Sequence, residues 1–394
     1  MHGVRRDRSS QTAEARAARK AKEASKLQAY LEVQSRFFEL KSRKEHSQDS
    51  LAATTKILTL SPELYTAWNF RRDVLKELFK GETVPIKEEK KDFFASVRIE
   101  EDLSAASASK RNDGKEERRP SLDYKRSLLE DDLELTTHAL RAHPKVYWIW
   151  NHRRWCLEEY PDETGTKWKR ELAMVDKMLE MDPRNFHGWT HRRYIFSRLA
   201  SSTTSSTPDL PLYPYSLTSP ELSPDSRRTQ LQLARQELSY SLSKIETNFS
   251  NFSAWHRRSI LLPLVWQAES LSATQMRKRR DEEFDLIKQA LFTDPDDQSV
   301  WIYHEWLIDK EASQDVLERE IEVVRELVDL EPDSKLCMRA LSHNLSMLST
   351  VIKGHDPQRA KSLSEETRDL LQRLVEVDPD RKGRYLDLLQ GLTA

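Results

Sequence analysis

The chain has 394 residues, of which 33% are charged, and 64 Lys and Arg against 65 Asp and Glu leave a formal net charge of −1. That balance suits solvated helices and argues against a generalised nucleic-acid surface. No apolar run approaches the ~18 residues of a membrane span, and no secretory apolar region is present, so a cytoplasmic protein without an integral membrane segment is expected. Cys156 and Cys337 lie far apart without a CxxC or His-rich setting, which excludes a disulfide framework and leaves no zinc ligand set.

The chain opens with a basic arm: residues 1–28 carry eight Lys or Arg and three acids, and from Thr12 onward Ala, Lys, Arg and Glu favour helix. Asp7, Glu14 and Glu23 interrupt the charge and argue against a mitochondrial presequence. An apolar stripe from Leu27 to Leu40 predicts that this helix docks on the first repeat, with the arm and helix covering 1–48 and a repeat domain covering 49–394.

The first repeat takes 49–80. In it Pro62 is followed six positions later by Trp68, and three after that by Arg71. Residues 81–120, rich in Lys, Glu, Ser and Asp with little periodicity, read as a disordered insertion. The second repeat, near 127–160, restores the ruler with Pro144, Trp150 and Arg153, and the third, 167–199, with Pro183, Trp189 and Arg192. Residues 200–226 hold five prolines among Ser and Thr and read as a second unstructured loop. A fourth copy lacks the Pro but keeps Trp255 and Arg258; a fifth keeps Pro295 and Trp301 and puts His304 at the Arg offset; a sixth has Pro332 and Met338; a closing pair ends VDPDRKGRYLDLL.

A fixed ruler repeated this often is an internal repeat. Upstream of each Pro lies an amphipathic stretch, as in Leu172, Val175, Met178 and Leu179 before Pro183. The Pro ends that helix and suits the first turn of the next. Each unit therefore reads as two antiparallel helices, with the Trp as the core knob and the Arg stacked on that face or bound to carbonyls of the adjoining turn. The fold expected is all-α: a crescent-shaped, right-handed superhelical solenoid of helical hairpins.

The stretches HPKVYWIWNHRRW and DPRNFHGWTHRRY resemble the repeat of protein prenyltransferase α subunits. Val146 and Phe186 replace the Asn and Tyr that the family pattern places before the Trp. NFSNFSAWHRRSILLP, DPDDQSVWIYHEWL and the closing stretch resemble the type II, Rab-directed group, in a short fungal-style form. The shared α subunit of farnesyltransferase and type I geranylgeranyltransferase is the alternative, as is a non-enzymatic scaffold of tetratricopeptide-like hairpins. The type II resemblance implies a heterodimer with a prenyltransferase β subunit that moves geranylgeranyl from geranylgeranyl diphosphate to C-terminal cysteines of Rab GTPases, presented by a Rab escort protein in vesicle transport. It further implies zinc held by the β subunit, with magnesium as an admissible companion of the diphosphate.

By the same resemblance, Lys145 and Tyr147 face the partner's active site, where they would assist the departing diphosphate. Lys145 lies five residues before Trp150, roughly 140° round a helix from the core face. Asn185 and His187 occupy the equivalent edge of the next repeat and are expected at the interface. His2, on the basic arm, is a candidate transient ligand of the partner's zinc.

Overall fold

The structure, a computed structural model, describes residues 13–80, 120–162, 165–202, 210–309 and 312–392. Fifteen α-helices and two 3₁₀ turns make up its regular structure, with no strand among the described residues. The chain divides at Lys167 and Trp168 into two units.

The first unit holds α1 (Ala13–Ser42), α2 (Gln48–Leu60), α3 (Tyr65–Leu78), α4 (Pro120–Ala142) and α5 (Tyr147–Glu159). The first half of α1 is exposed; near its end Phe37 and Leu40 are buried, and Phe37 meets Phe70 of α3 edge-on at 6.0 Å. α2 with α3, and α4 with α5, form hairpins whose core is Ile57, Trp68, Val74, Leu129, Ile149 and Trp150. The 81–120 insertion, apart from Pro120 at the start of α4, lies outside the described residues.

α6 (Thr166–Met181) begins at the boundary, and the second unit continues with α7 (Phe186–Ser201), α8 (Pro224–Thr247), α9 (Phe252–Ala268), α10 (Ala273–Thr293), α11 (Gln298–Asp309), α12 (Gln314–Leu330), α13 (Lys335–Ile352), α14 (Pro357–Val377) and α15 (Lys382–Gly391). Here too consecutive helices pair into hairpins. α6 and α7 pack closely because Gly188 lets Leu179 approach: a Cβ at 188 would lie 2.9 Å from Leu179 Cδ2.

The link within each hairpin is a β-turn, and it explains the proline. The amide of Leu64 donates to the carbonyl of Ser61, and the same bond recurs at Val146–His143, Asn185–Asp182, Asn251–Asn248, Asp297–Asp294, Ser334–Glu331 and Arg381–Asp378, at 3.0–3.2 Å. Pro stands second in that turn, where a fixed φ is favoured and no N–H is needed. The proline thus shapes the turn itself; the second helix opens three residues later, and not at the proline as its helix-start preference predicts.

The 200–226 stretch differs from the unstructured loop expected. α7 runs to Ser201, α8 starts at Pro224, and residues 210–223 fold back with a 3₁₀ turn at Tyr215–Thr218. Tyr213 and Leu217 pack with Phe196, Ala200, Ala234, Leu261 and Val265, and Leu222 is also buried. Arg227 donates to the carbonyls of Leu217, Ser219 and Leu222, and Ser216 Oγ donates to Gln230 Oε1 at 2.7 Å. Prolines exclude an α-helix here but not burial, and three large side chains within ten residues are enough to anchor the segment. Leu217→Ala is expected to lower unfolding stability by about 2–5 kcal/mol, read from the urea midpoint. An unchanged midpoint would show that the segment contributes nothing to the core.

Candidate functional site

The repeat residues come first, because they set where the remaining side chains point. Each Trp indole N–H donates to the backbone carbonyl six residues back, at the turn: Trp68 to Pro62, Trp150 to Pro144, Trp189 to Pro183, Trp255 to Phe249 and Trp301 to Pro295, at 2.7–2.9 Å. All five rings are buried. The fourth copy shows that the indole reads the backbone, since Phe249 stands at the turn in place of Pro and offers the same carbonyl.

The Arg three residues after each Trp is buried and forked. Its guanidinium donates back to the first helix of its own hairpin: Arg71 to the Leu51 carbonyl at 2.9 Å, Arg153 to Leu133 at 2.7 Å and Arg258 to Leu238 at 3.1 Å. Thr54 and Thr55 accept from Arg71, and Thr136 and Thr137 from Arg153. Asp176 takes that place for Arg192. The fork also reaches forward to an acid on the next hairpin: Arg71 holds both oxygens of Asp132, Arg192 binds Glu237, and Arg258 binds Glu283. His304 meets Glu320 at 3.3 Å, doing in the fifth copy what Arg does elsewhere.

The same acids bind the residue just before the Arg in their own hairpin, always twenty positions on. His152 pairs with Asp132, His191 with Glu171, Arg257 with Glu237 and Tyr303 with Glu283. The Pro-Trp-Arg ruler does not reach this row of buried acids, although its own fixed spacing can be counted. Each acid is a clamp, within one hairpin and, where Arg71, Arg192 and Arg258 reach it, to the hairpin before.

Asp132, His152 and Cys156 are the one group of three potential metal ligands among the described residues, and all are buried. They do not fit a divalent ion. Burial opposes charge on Asp132, yet Arg71 and His152 outweigh it and hold the carboxyl at about 2. Both its oxygens are taken by Arg71, while Arg72 Nε lies 3.3 Å from His152 Nδ1. Burial, reinforced by Arg71 and Arg72, lowers the His152 pKa against the pull of Asp132, so the ring is neutral, donating from Nε2 and accepting at Nδ1. Burial and Asp132 push the Cys156 thiol well up, the reverse of what a thiolate ligand needs.

The residues expected at a reaction site occupy the hairpin tips. Lys145 sits in the α4–α5 turn, two residues ahead of the first helical residue, and is exposed. Tyr147, the first residue of α5, is exposed, as is Trp148, whose ring lies 5.3 Å from exposed Tyr65 at the α2–α3 tip. Tyr65, Tyr147 and Trp148 are thus exposed aromatics at the hairpin tips of the first unit, where Lys145 is exposed as well. In the second unit Phe186 and Phe252 hold the position equivalent to Tyr65 and Tyr147 and are likewise exposed. Asn185 and His187, expected at the interface edge, are buried instead. Asn185 is the N-cap of α7, accepting from the amides of His187 and Gly188, and His187 lies beneath Phe186 with ring centroids 4.0 Å apart. Its counterpart Asn251 caps α9 and also donates to the Pro183 carbonyl at 2.9 Å. His2 lies outside the described residues.

The protein prenyltransferase alpha subunit repeat matches at residues 47–78, 129–160, 168–199, 234–264 and 280–311. The geranylgeranyl transferase type-2 subunit alpha of Schizosaccharomyces pombe is 33% identical across 100% of this chain and 98% of its own length. This chain belongs to the family of type-2 geranylgeranyl transferase α subunits. The Saccharomyces cerevisiae member is 28% identical across 99% of both chains, and the human one is 30% identical across 80% of this chain and 43% of its own. These type-2 relatives favour that assignment over a shared farnesyltransferase α subunit or a plain scaffold. Among solved structures, Candida albicans protein geranylgeranyltransferase-I complexed with GGPP aligns over 93% of this chain and 91% of that one, with TM-score 0.54 and 18% identity, a likeness of fold. No described helix of this type-2 family member is long and apolar enough to cross a membrane.

The clamp predicts an acid limb. Because the folded-state pKa of Asp132 is depressed, its contribution is complete above the unfolded carboxyl value near 4 and is lost as pH falls toward 2. Asp132→Asn, which strands buried Arg71, is expected to cost about 3–5 kcal/mol at pH 7. In urea titrations at several pH values the gap to the parent should narrow below about pH 4. A variant as stable as the parent at pH 7 would show that the clamp holds nothing together.

Proposed function

We propose that the chain works as the α half of a Rab geranylgeranyl transferase. In the reaction a cysteine thiolate of a Rab protein attacks carbon 1 of geranylgeranyl diphosphate; the C–S bond forms, the C1–O bond breaks, and diphosphate leaves with the electron pair. Zinc held by the β subunit would keep the thiol ionised at neutral pH. This chain contributes the docking surface and a cation. Burial of the clamp residues leaves the hairpin tips to meet a partner, and the exposed aromatic rings of Tyr65, Tyr147 and Trp148 are the kind of side chain that anchors interfaces.

The observation that carries the reading is the exposure of Lys145 in the α4–α5 turn, two residues before exposed Tyr147. There it would meet the negative charge growing on the diphosphate, and it would act more strongly as the bond breaks than before. Tyr147 would donate its hydroxyl to the same oxygens. An escort protein presents the Rab, and the assembly is cytoplasmic.

The test is rapid quench on the chain co-purified with its β subunit, with escort protein, Rab and lipid saturating. Lys145→Ala is expected to slow single turnover by about one to three powers of ten, to weaken lipid binding less, and to leave the melting temperature in place. Lys145→Arg should recover part of the rate, since charge survives while geometry changes. A parental rate in Lys145→Ala would reduce this chain to a scaffold. Transfer to a free CaaX peptide without the escort would overturn the type-2 reading.

A further inference from the structure

The acid clamp stops before the C-terminal end. In the sixth hairpin Leu341 stands at the Arg position and Ala340 at the position before it. Twenty residues ahead of the corresponding Asp387 in the closing pair, the acid's place on α14 is taken by Thr367, whose hydroxyl donates to its own helix at the Leu363 carbonyl, 2.8 Å away. Small side chains here replace a guanidinium, a ring and a carboxylate, and a cavity of about 130 Å³ lies among α11, α13, α14 and α15, lined by Ala340 and Thr367.

The remaining lining is rich in donors. Asn344 is 1% exposed, and its amide nitrogen has no hydrogen-bond partner. His343 Nε2 is buried without a hydrogen bond, 3.6 Å from the nearest carboxylate oxygen, on Asp309. Arg384 of α15 forms no ion pair among the described residues, and Arg339 stands 3.5 Å from Glu305, the lone acid in the lining. The buried Asn344 amide requires an acceptor, and the carboxylate found at the earlier junctions is missing at this one.

We propose that this cavity binds a small phosphate-type oxyanion, which stands in for the absent acid and ties α13 to α15. The size agrees: a space of this order admits a phosphate-sized ion. Guanidinium, imidazole and amide N–H groups in one lining are the donor set that phosphate oxygens accept from. Two sources share that chemistry: free phosphate, and the diphosphate that geranylgeranyl transfer releases. The proposal does not depend on the role proposed for Lys145.

The experiment is hydrogen exchange on the full chain in complex with its β subunit, in inorganic phosphate and in chloride at equal ionic strength. With phosphate at about ten times its dissociation constant, exchange in α13 and α15 should slow about tenfold, while α2 to α5 stay unchanged. Arg384→Gln, at an exposed position, should abolish the slowing without altering exchange in chloride. Asn344→Leu, which fills the hole, should abolish it too. A parallel series in diphosphate identifies the source, and protection by either ion that is lost in Arg384→Gln supports the site. Equal exchange in phosphate, diphosphate and chloride for the parent would mean that water alone serves these donors and would overturn the proposal. Slowing retained in Arg384→Gln would do the same.

Discussion

A buried indole has one N–H and must place it. In this fold it goes to the carbonyl at the apex of the hairpin's own turn, in five copies. That bond fixes the angle between turn and second helix, and so decides where the Arg three residues later emerges. The Arg in turn needs acceptors for a fork that cannot be buried unpaired. It finds them on the first helix of its own hairpin and on the acid of the next. The repeat is therefore a chain of obligations, each created by the burial of the previous group. Phe at the Trp position would keep the apolar area and leave the apex carbonyl unanswered.

Much of this is legible in the chain. Pro, Trp and Arg are close in sequence because they serve one turn and one helix, so a ruler laid along the residues finds them. The acids serve a contact between helices, and their twenty-residue spacing shows only to a reader who asks where the fork of Arg71 or Arg192 can end. Asn185 is expected at the interface when its place in the repeat is considered without its capping role, which draws Asn inward over the helix amides. Composition hides the packing of Tyr213, Leu217 and Leu222, since proline speaks to backbone conformation and not to burial. Lys145 and Tyr147 stand out through the family resemblance; the structure adds that both are exposed at a hairpin tip.

The division of labour comes from these constraints. The clamp residues are buried and committed to one another, which leaves the turns and the first residues of the second helices as the places where chemistry can vary without loss of fold. Lys145 and the exposed rings of Tyr65, Tyr147 and Trp148 lie in such places. On the function proposed, with the thiol activated in another subunit, this chain needs to supply little more than a firm surface and a well-placed charge. A rigid turn supplies placement with less ordering cost than a flexible loop does.

The thinning of the clamp along the second unit has a consequence for how the chain comes apart. The junctions at Glu237 and Glu283 are held by buried ion pairs, whereas between the sixth hairpin and the closing pair the buried contacts are Met338, Leu371, Leu374 and Tyr385, and the ion pairs Arg325–Glu366, Arg359–Glu318 and Arg373–Asp333 lie at the surface, where they are worth little. Acid protonates carboxylates and leaves methyl groups alone; cooling weakens apolar association and spares ion pairs. Acidification should therefore weigh most on the buried ion-paired junctions, and chilling most on the last pair of helices. The protein would carry a weak point for each, in separate parts of one unit.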